Sequence, residues 1–252
     1  MTRERPPRGS TLVDGAVDWI GSRIIGGEFA PNSTLPVENE IAANLGVGRN
    51  VVREAVKILS DKRLLRTVRR RGMLVLPKAE WNSLDDHVIA WSLALEPLRD
   101  ELLDELTVLR SMVEPEVAAL AAQAATTTEV LRLFEAVELM ELHASGDKAQ
   151  AIEADIYFHR RMFEAAHNRI LLGLMRPVFA LLRANFASAI ERDDGQHYYV
   201  EEHRLVAEAV RRKDPDGAHE AMRKLLRNNA RHIDETRQAR RRGSLLTLLD
   251  QP

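Results

Sequence analysis

Residues 35–77 read LPVENEIAANLGVGRNVVREAVKILSDKRLLRTVRRRGMLVLP, and the spacing of their apolar and glycine residues divides them into four elements. VENEIAANLG has the pattern of a short helix closed by Gly46, since glycine readily takes the backbone conformation that follows a helix end. VGRNVVREAVKILSDKRLL is a second helix, with Val52, Ala55, Val56 and Leu59 recurring at the period of one inner face. The step from Leu45 to Asn50 leaves room only for a tight turn, so the pair reads as a helix-turn-helix. Beyond it, Leu64–Val68 and Met73–Leu76 alternate enough to be two short strands, joined by a turn at Arg69-Arg70-Arg71-Gly72.

This order of elements suggests a chemistry. The second helix of a helix-turn-helix enters the major groove of DNA and touches base edges with its N-terminal residues. Arg49, Asn50 and Arg53 gather at that end and on the outer side. Arginine is the usual bidentate partner of guanine, and asparagine of adenine. A hairpin tip carrying Arg69, Arg70 and Arg71 suits phosphates or a narrow minor groove. Upstream, Leu12, Ala16, Trp19, Ile20 and Ile24 predict a helix from Thr11 to about Ile25, stopped by Gly26 and Gly27; residues 1–10 are expected to be flexible. The charge distribution agrees. Residues 1–77 hold 13 basic and 8 acidic side chains, a net +5, and the rest of the chain is −7, within a total of −2. A basic first third on an acidic body predicts that the first third meets a polyanion.

A length of 252 residues allows one large domain or two ordinary ones. Hydrophobic residues at 45% and charged residues at 29% fit a soluble globular chain with no membrane span. MTRERPPRGS is not a secretory signal. The absence of cysteine removes disulfides, thiol nucleophiles and Cys-ligated zinc, and the cytoplasm is the expected compartment. From Pro97 onward there is almost no strand signal. Leu102, Leu103, Leu106, Leu109, Val113, Val117 and Leu120 form one long apolar stripe. Further helices are predicted near residues 128–143, 148–166, 170–191, 200–213 and 215–236. Short loops between them predict an antiparallel bundle, a fold that builds ligand sites from inward side chains of facing helices.

One segment of that bundle carries chemistry. EADIYFHRRMFEAAHN, from Glu153, places Asp155 and His159 four apart, on one face of a helix. Such a pair can be an acid–base couple, two metal ligands or part of a buried hydrogen-bond network. No Gly-x-Ser-x-Gly, His-Glu-x-x-His or phosphate loop accompanies it, so an enzyme is not expected. Arg110 is suited to a carboxylate of a ligand, or to a surface pair with Glu114 at i+4. His87, His143, His197 and His219 are expected to be solvated or capping residues.

The stretch from Leu35 to Pro77 resembles the winged helix-turn-helix domain of the GntR family of bacterial transcription regulators. LTVLRSMVEPEVAALAA, EADIYFHRRMFEAAHNRIL and EEHRLVAEAVRRKDPDGAHEAMRKLL resemble, in order, the all-helical FCD domain of its FadR subfamily. The linker residues Trp81, Asn82, Leu84, Asp85 and Trp91 narrow the likeness to regulators of galactonate-type sugar-acid operons. The resemblance implies a mainly α fold, with a winged helix-turn-helix over residues 1–77, a linker over 78–98, an FCD bundle over 99–236 and a tail over 237–252. It implies a homodimeric regulator on a palindromic operator, responding to a small carboxylate, with a repressor the first expectation and an activator the alternative. A sugar acid is the first expectation, and a short hydroxy acid or dicarboxylate the next. Arg49, Arg53, Arg71 and Gly72 match DNA-contacting positions. Asn39 stands where the family commonly has arginine, Val37 replaces a capping serine, and Arg69 and Arg70 make the wing more basic. Asp155, His159 and His203 match metal ligands, suited to zinc, nickel or manganese, and Arg110 matches an inward arginine. The fourth ligand position is Leu225, which cannot coordinate, and His219 and His232 lie off that position. Three ligands with an open position, a metal-free site for a hydroxylated ligand and a structural polar network all remain readings of the set.

Overall fold

In a computed structural model of the chain, the structure describes residues 11–144, 146–175, 179 and 200–231, and the chain divides into two compact units between Leu102 and Leu103. The remainder of the helix predicted over 170–191, together with His197, His232 and the tail from residue 237, lies outside the described residues.

The first unit begins with α1 (Leu12–Ile25), which starts where Thr11 and Asp14 exchange side-chain and backbone bonds in a capping box. Ala16, Val17, Ile20, Ile24 and Ile25 are buried, but Leu12 is 58% exposed and does not join the inner face expected of it. It is the first helical residue, one turn before the packed face begins. Helix α2 (Glu38–Leu45) has no side-chain bond at its N-cap Val37, and ends at Gly46, whose φ of +67° favours a residue without Cβ. Helix α3 (Arg49–Asp61) buries Val52, Ala55, Val56 and Leu59, the four residues its periodicity selected. Strands β1 (Leu65–Val68) and β2 (Gly72–Val75) pair antiparallel, with Val68 opposite Gly72. The three residues between them turn through a left-handed Arg70 (φ +67°) and into Gly72 (φ +82°). Leu64 and Leu76, expected at the strand ends, are buried just outside the ladder, where the Leu76 amide donates to the Leu64 carbonyl at 2.9 Å.

Residues 78–93 are packed onto this unit. A 3₁₀ turn (Lys78–Glu80) leads to Trp81, whose indole Nε1 donates to the Leu76 carbonyl at 2.8 Å. Helix α4 (Asp86–Leu93) is capped by Asp85, and Lys62 at the end of α3 reaches both Asp85 oxygens at 2.9 Å. Trp91 sits in the core against Gly21 of α1, and its Nε1 donates to Asp18 at 3.2 Å. The stretch expected as a linker is thus anchored at three points to the elements around it.

Helix α5 (Glu96–Ala124) contains the predicted apolar stripe, in which Leu103, Leu106 and Val117 are buried and Leu109, Val113 and Leu120 are partly so. In the second unit it is followed by α6 (Thr127–His143), α7 (Lys148–Ala165), α8 (residues 169–175, as far as described), α9 (Val200–Arg211) and α10 (residues 215–231). Thr126 and Glu129 cap α6 with a second capping box. The core joins Val117, Ala121 and Ala122 of α5, Leu133, Val137 and Met140 of α6, Phe158, Met162 and Phe163 of α7, Val206 and Val210 of α9 and Met222 and Leu225 of α10. The mainly α class, with the small two-stranded sheet of the wing among the described residues, agrees with the expectation.

Candidate nucleic-acid interface and buried polar centre

In the first unit, all eight residues expected to meet DNA are exposed: Asn39, Arg49, Asn50, Arg53, Arg69, Arg70, Arg71 and Gly72. Five of them, Asn39, Arg49, Arg70, Arg71 and Gly72, line one groove between the start of α2, the start of α3 and the hairpin. Asn50 and Arg69 lie outside that groove's lining, and Arg53 is tied to it through Glu38. The Glu38 carboxylate, in the first turn of α2, accepts from Arg49 Nε at 2.7 Å and from Arg53 Nε at 3.0 Å, both on Oε2. The Arg49 guanidinium holds the Glu38 carboxyl below its ordinary range. The i,i+4 spacing of Arg49 and Arg53 is legible in the sequence, but the acid that joins them lies 11 residues upstream, and only the helix pairing brings it there.

Among the described residues of the second unit, four charged or polar side chains are buried: Glu114 on α5, Asp155 and His159 on α7 and His203 on α9. Asp155 Oδ1 lies 3.1 Å from His203 Nε2, and Asp155 Oδ2 lies 3.9 Å from His159 Nε2. The two Nε2 atoms are 3.4 Å apart. Candidate ligand atoms of the three residues all fall within 4.8 Å of one another. Phe158 packs edge-on against His203, with ring centroids 4.8 Å apart, closing one side with hydrocarbon.

Arg110 and Glu114 do form an i,i+4 pair, but it is an interior one and not the surface pair that spacing alone suggests. The Arg110 side chain is 11% exposed and that of Glu114 1%. Arg110 Nε donates to Glu114 Oε1 at 2.5 Å, and its Nη2 lies 3.3 Å from His159 Nε2. Glu114 Oε2 stands 2.8 Å from His159 Nδ1, at ion-pair distance but without the alignment of a hydrogen bond. Glu114 belongs to the centre as much as the residues expected there. Its only sequence signal was the four-residue step from Arg110.

Burial works against both carboxylates, and their neighbours more than offset it. Arg110, with His159, holds Glu114 down to about 2. The His203 hydrogen bond, with His159, His203 and Arg110 as nearby charges, holds Asp155 below the usual carboxylate range. Burial also disfavours the Arg110 cation, and Glu114 reverses the balance. Asp155 Oδ2 is buried with no hydrogen-bond partner, and the two imidazole Nε2 atoms stand 3.4 Å apart beside it. The donor set therefore fits a divalent cation: two imidazole nitrogens, a carboxylate, and Glu114 beside the far nitrogen of His159. Leu225, at the position of the expected fourth ligand, is fully buried in the apolar core. Of the other histidines, His87 opens α4 with its Nδ1 3.0 Å from Lys62, His143 ends α6, and His219 on α10 pairs with Glu116 at 3.4 Å.

Comparison with known proteins gives this two-part arrangement its class. Residues 12–75 match the profile of bacterial regulatory proteins of the gntR family, and residues 105–228 match the FCD domain. The galactonate operon transcriptional repressor of Escherichia coli K12 is 31% identical over 225 residues, covering 88% of this chain and 97% of that protein. The Uxu operon transcriptional regulator of the same organism is 29% identical over 219 residues, covering 83% and 81%. The solved structure of E. coli McbR/YncC shares the fold, with a TM-score of 0.51 at 18% identity over 90% of this chain and 99% of that one. The chain belongs to the GntR family, with an FCD domain following its helix-turn-helix. It is a transcriptional regulator that binds DNA, and not an enzyme. No helix among the described residues is long and apolar enough to cross a membrane.

Proposed function

We propose that the protein is a cytoplasmic repressor that binds a palindromic operator as a homodimer and is released by a small carboxylate effector, a sugar acid of the galactonate kind. In this reading residues 1–77 hold the DNA, with Asn39, Arg49, Asn50, Arg53 and the wing residues Arg69, Arg70, Arg71 and Gly72 at the contact. Residues 99–236 take the effector, and residues 78–98 carry the signal between them. The tail, 237–252, has no assigned part. Two-fold symmetry favours the dimer, because two copies of α3 then read two half-sites. The name of the E. coli relative supports the sugar acid.

The observation that carries the proposal is the polar centre enclosed in an apolar bundle. Burying two carboxylates and two imidazoles is costly unless something uses them, and the unpartnered Asp155 oxygen is a place for a ligand atom. Asp155, His159 and His203 would hold a divalent cation such as zinc, nickel or manganese. Such a cation supplies a Lewis-acid anchor for the oxygens of a hydroxy acid. It would also add two positive charges to the centre, which an effector carboxylate would partly offset. Arg110, engaged by Glu114, orients this anionic ligand through what remains of its guanidinium. An effector can release DNA only by binding the DNA-incompetent arrangement more tightly.

The test is operator binding by fluorescence anisotropy, on DNA from upstream of the protein's own gene. Galactonate and a panel of hydroxy and dicarboxylic acids are titrated with and without a chelator. Release by one sugar acid, lost with chelator, is the expected result. Release that ignores the chelator assigns the ligand directly to Asp155, His159 and His203. Tight binding that no acid disturbs refutes the effector.

A further inference from the structure

Glu38 is out of place for a surface that meets a polyanion. Among the described residues lining the groove of Asn39, Arg49, Arg70 and Arg71, it is the acidic one, and a carboxylate there repels phosphates. It is nevertheless held firmly. It opens α2, where the helix dipole favours a negative group, and its side chain is only 26% exposed. Its Oε2 accepts from both arginines of α3, and each arginine uses its Nε. No bond among the described residues engages the Nη atoms of Arg49 or Arg53, whose side chains are 54% and 50% exposed. A guanidinium gripped at Nε has its orientation set while the Nη fork that meets a base edge is left open. Arg49 and Arg53 are one helical turn apart, a rise of about 6 Å, close to the ~7 Å of two base-pair steps along DNA.

We propose that Glu38 is the specificity-determining positioning residue of the interface: it grips Arg49 and Arg53 together, so that two guanidinium forks meet base edges two steps apart, with guanine the preferred base at each. The proposal rests on the α3 surface being the one that reads DNA. Two consequences oppose each other. The charge weakens attraction to any DNA, and the grip spares the specific complex the cost of ordering two long side chains. Removing Glu38 therefore strengthens non-specific binding while it weakens specific binding, a combination that a merely structural role does not produce.

The experiment begins with the full-length wild type enriching duplexes from a randomised pool. Dissociation constants are then measured for the enriched duplex and for a scrambled one, with wild type, Glu38→Gln and Glu38→Ala, over a series of salt concentrations. For Glu38→Ala the ratio of specific to non-specific affinity is expected to fall at least ~10-fold, within the discrimination carried by one bidentate base contact. Binding to the scrambled duplex should tighten, and its salt dependence steepen by about one phosphate contact. Glu38→Gln, which keeps an acceptor oxygen without the charge, should recover part of the ratio. A ratio unchanged in Glu38→Ala overturns the assignment of Glu38, as does an equal loss on both duplexes. A wild type that enriches no sequence overturns the DNA-reading surface itself, and the proposal with it.

Discussion

Replacing Glu114 by Gln tests the buried centre through its pH dependence. The change keeps volume and one acceptor oxygen but removes the charge that faces Arg110 and His159. The folded Glu114 carboxyl is depressed from 4.5 to about 2. A depressed carboxyl contributes stability that is fully present above the unfolded value of 4.5 and is lost as pH falls through the folded value. At about 1.4 kcal/mol per pH unit, this group supplies on the order of 3 kcal/mol at neutral pH and almost none near pH 2. That agrees with the ~3–5 kcal/mol lost when one partner of a buried ion pair is removed. Asp155 shifts in the same direction, but it is present in both proteins and largely cancels from the difference.

Urea unfolding of wild type and Glu114→Gln between pH 2.5 and 7 provides the assay. The three tryptophans, Trp19, Trp81 and Trp91, all lie in the first unit, so their fluorescence is an internal control. Far-UV circular dichroism follows the helices of the second unit as well. The variant should be less stable by roughly 3 kcal/mol above pH 5, with the gap closing steadily below pH 4.5, while the tryptophan transition stays in place. A gap that is constant across the whole range would falsify the interior ion pair, because a loss of packing alone carries no such pH dependence.

Three further outcomes are expected. Replacing Arg53 by Ala should weaken operator binding at least ~30-fold, about 2 kcal/mol, on the scale of one bidentate base contact; unchanged affinity refutes the placement of α3 in the groove. Replacing Gly21 by Ala puts a Cβ 2.2 Å from the Trp91 ring. It should destabilise the first unit by about 1–3 kcal/mol of overpacking, and an unshifted tryptophan unfolding curve refutes the packing of α4 on α1. Calorimetric titration of metal-stripped protein with zinc should show one site per chain, weakened at least ~100-fold when His203 becomes Ala. A wild type that takes up no zinc, nickel or manganese leaves the centre to direct ligand bonding.

The helices around the arginine-lined groove were legible in the sequence because their periodicity is strict. The faces of α3 and the ends of α1 follow from apolar spacing and glycine positions within a few residues of each element. Leu12 failed because a period says which residues share a face, not where along the helix the packing begins. Half of the residues from 78 to 93 are apolar, but composition does not say which element such a segment packs against. Trp81, Asp85 and Trp91 become anchors only because Leu76, Lys62 and Gly21 are folded to meet them. Glu38 and Glu114 were missed for the same reason. Glu38 grips its arginines, and Glu114 reaches His159, across a helix–helix contact that no local spacing encodes; the four-residue step to Arg110 was visible, but not that it faces inward.

Three four-residue steps show what decides the chemistry of such a spacing. Arg49 and Arg53 repeat the geometry of Arg110 and Glu114 and of Asp155 and His159: two polar residues stacked on one face of a helix. On α3 the face is open to water and the charges are alike, so an acid from α2 must hold them together, and the exposed forks stay available to a large anionic partner. On α5 and α7 the faces turn inward. There the charges are mixed, and Asp155 Oδ2, buried without a hydrogen bond among the described residues, suits the single ion or small molecule proposed for it. Spacing alone makes all three pairs candidates for salt bridges. Burial separates them, because an exposed pair is worth little and is easily exchanged for another partner, whereas an enclosed one fixes both its members and whatever binds between them. In the proposed reading a regulator needs both kinds, a surface that exchanges counterions for DNA and an interior that registers one ligand, and the same helical step would serve for each.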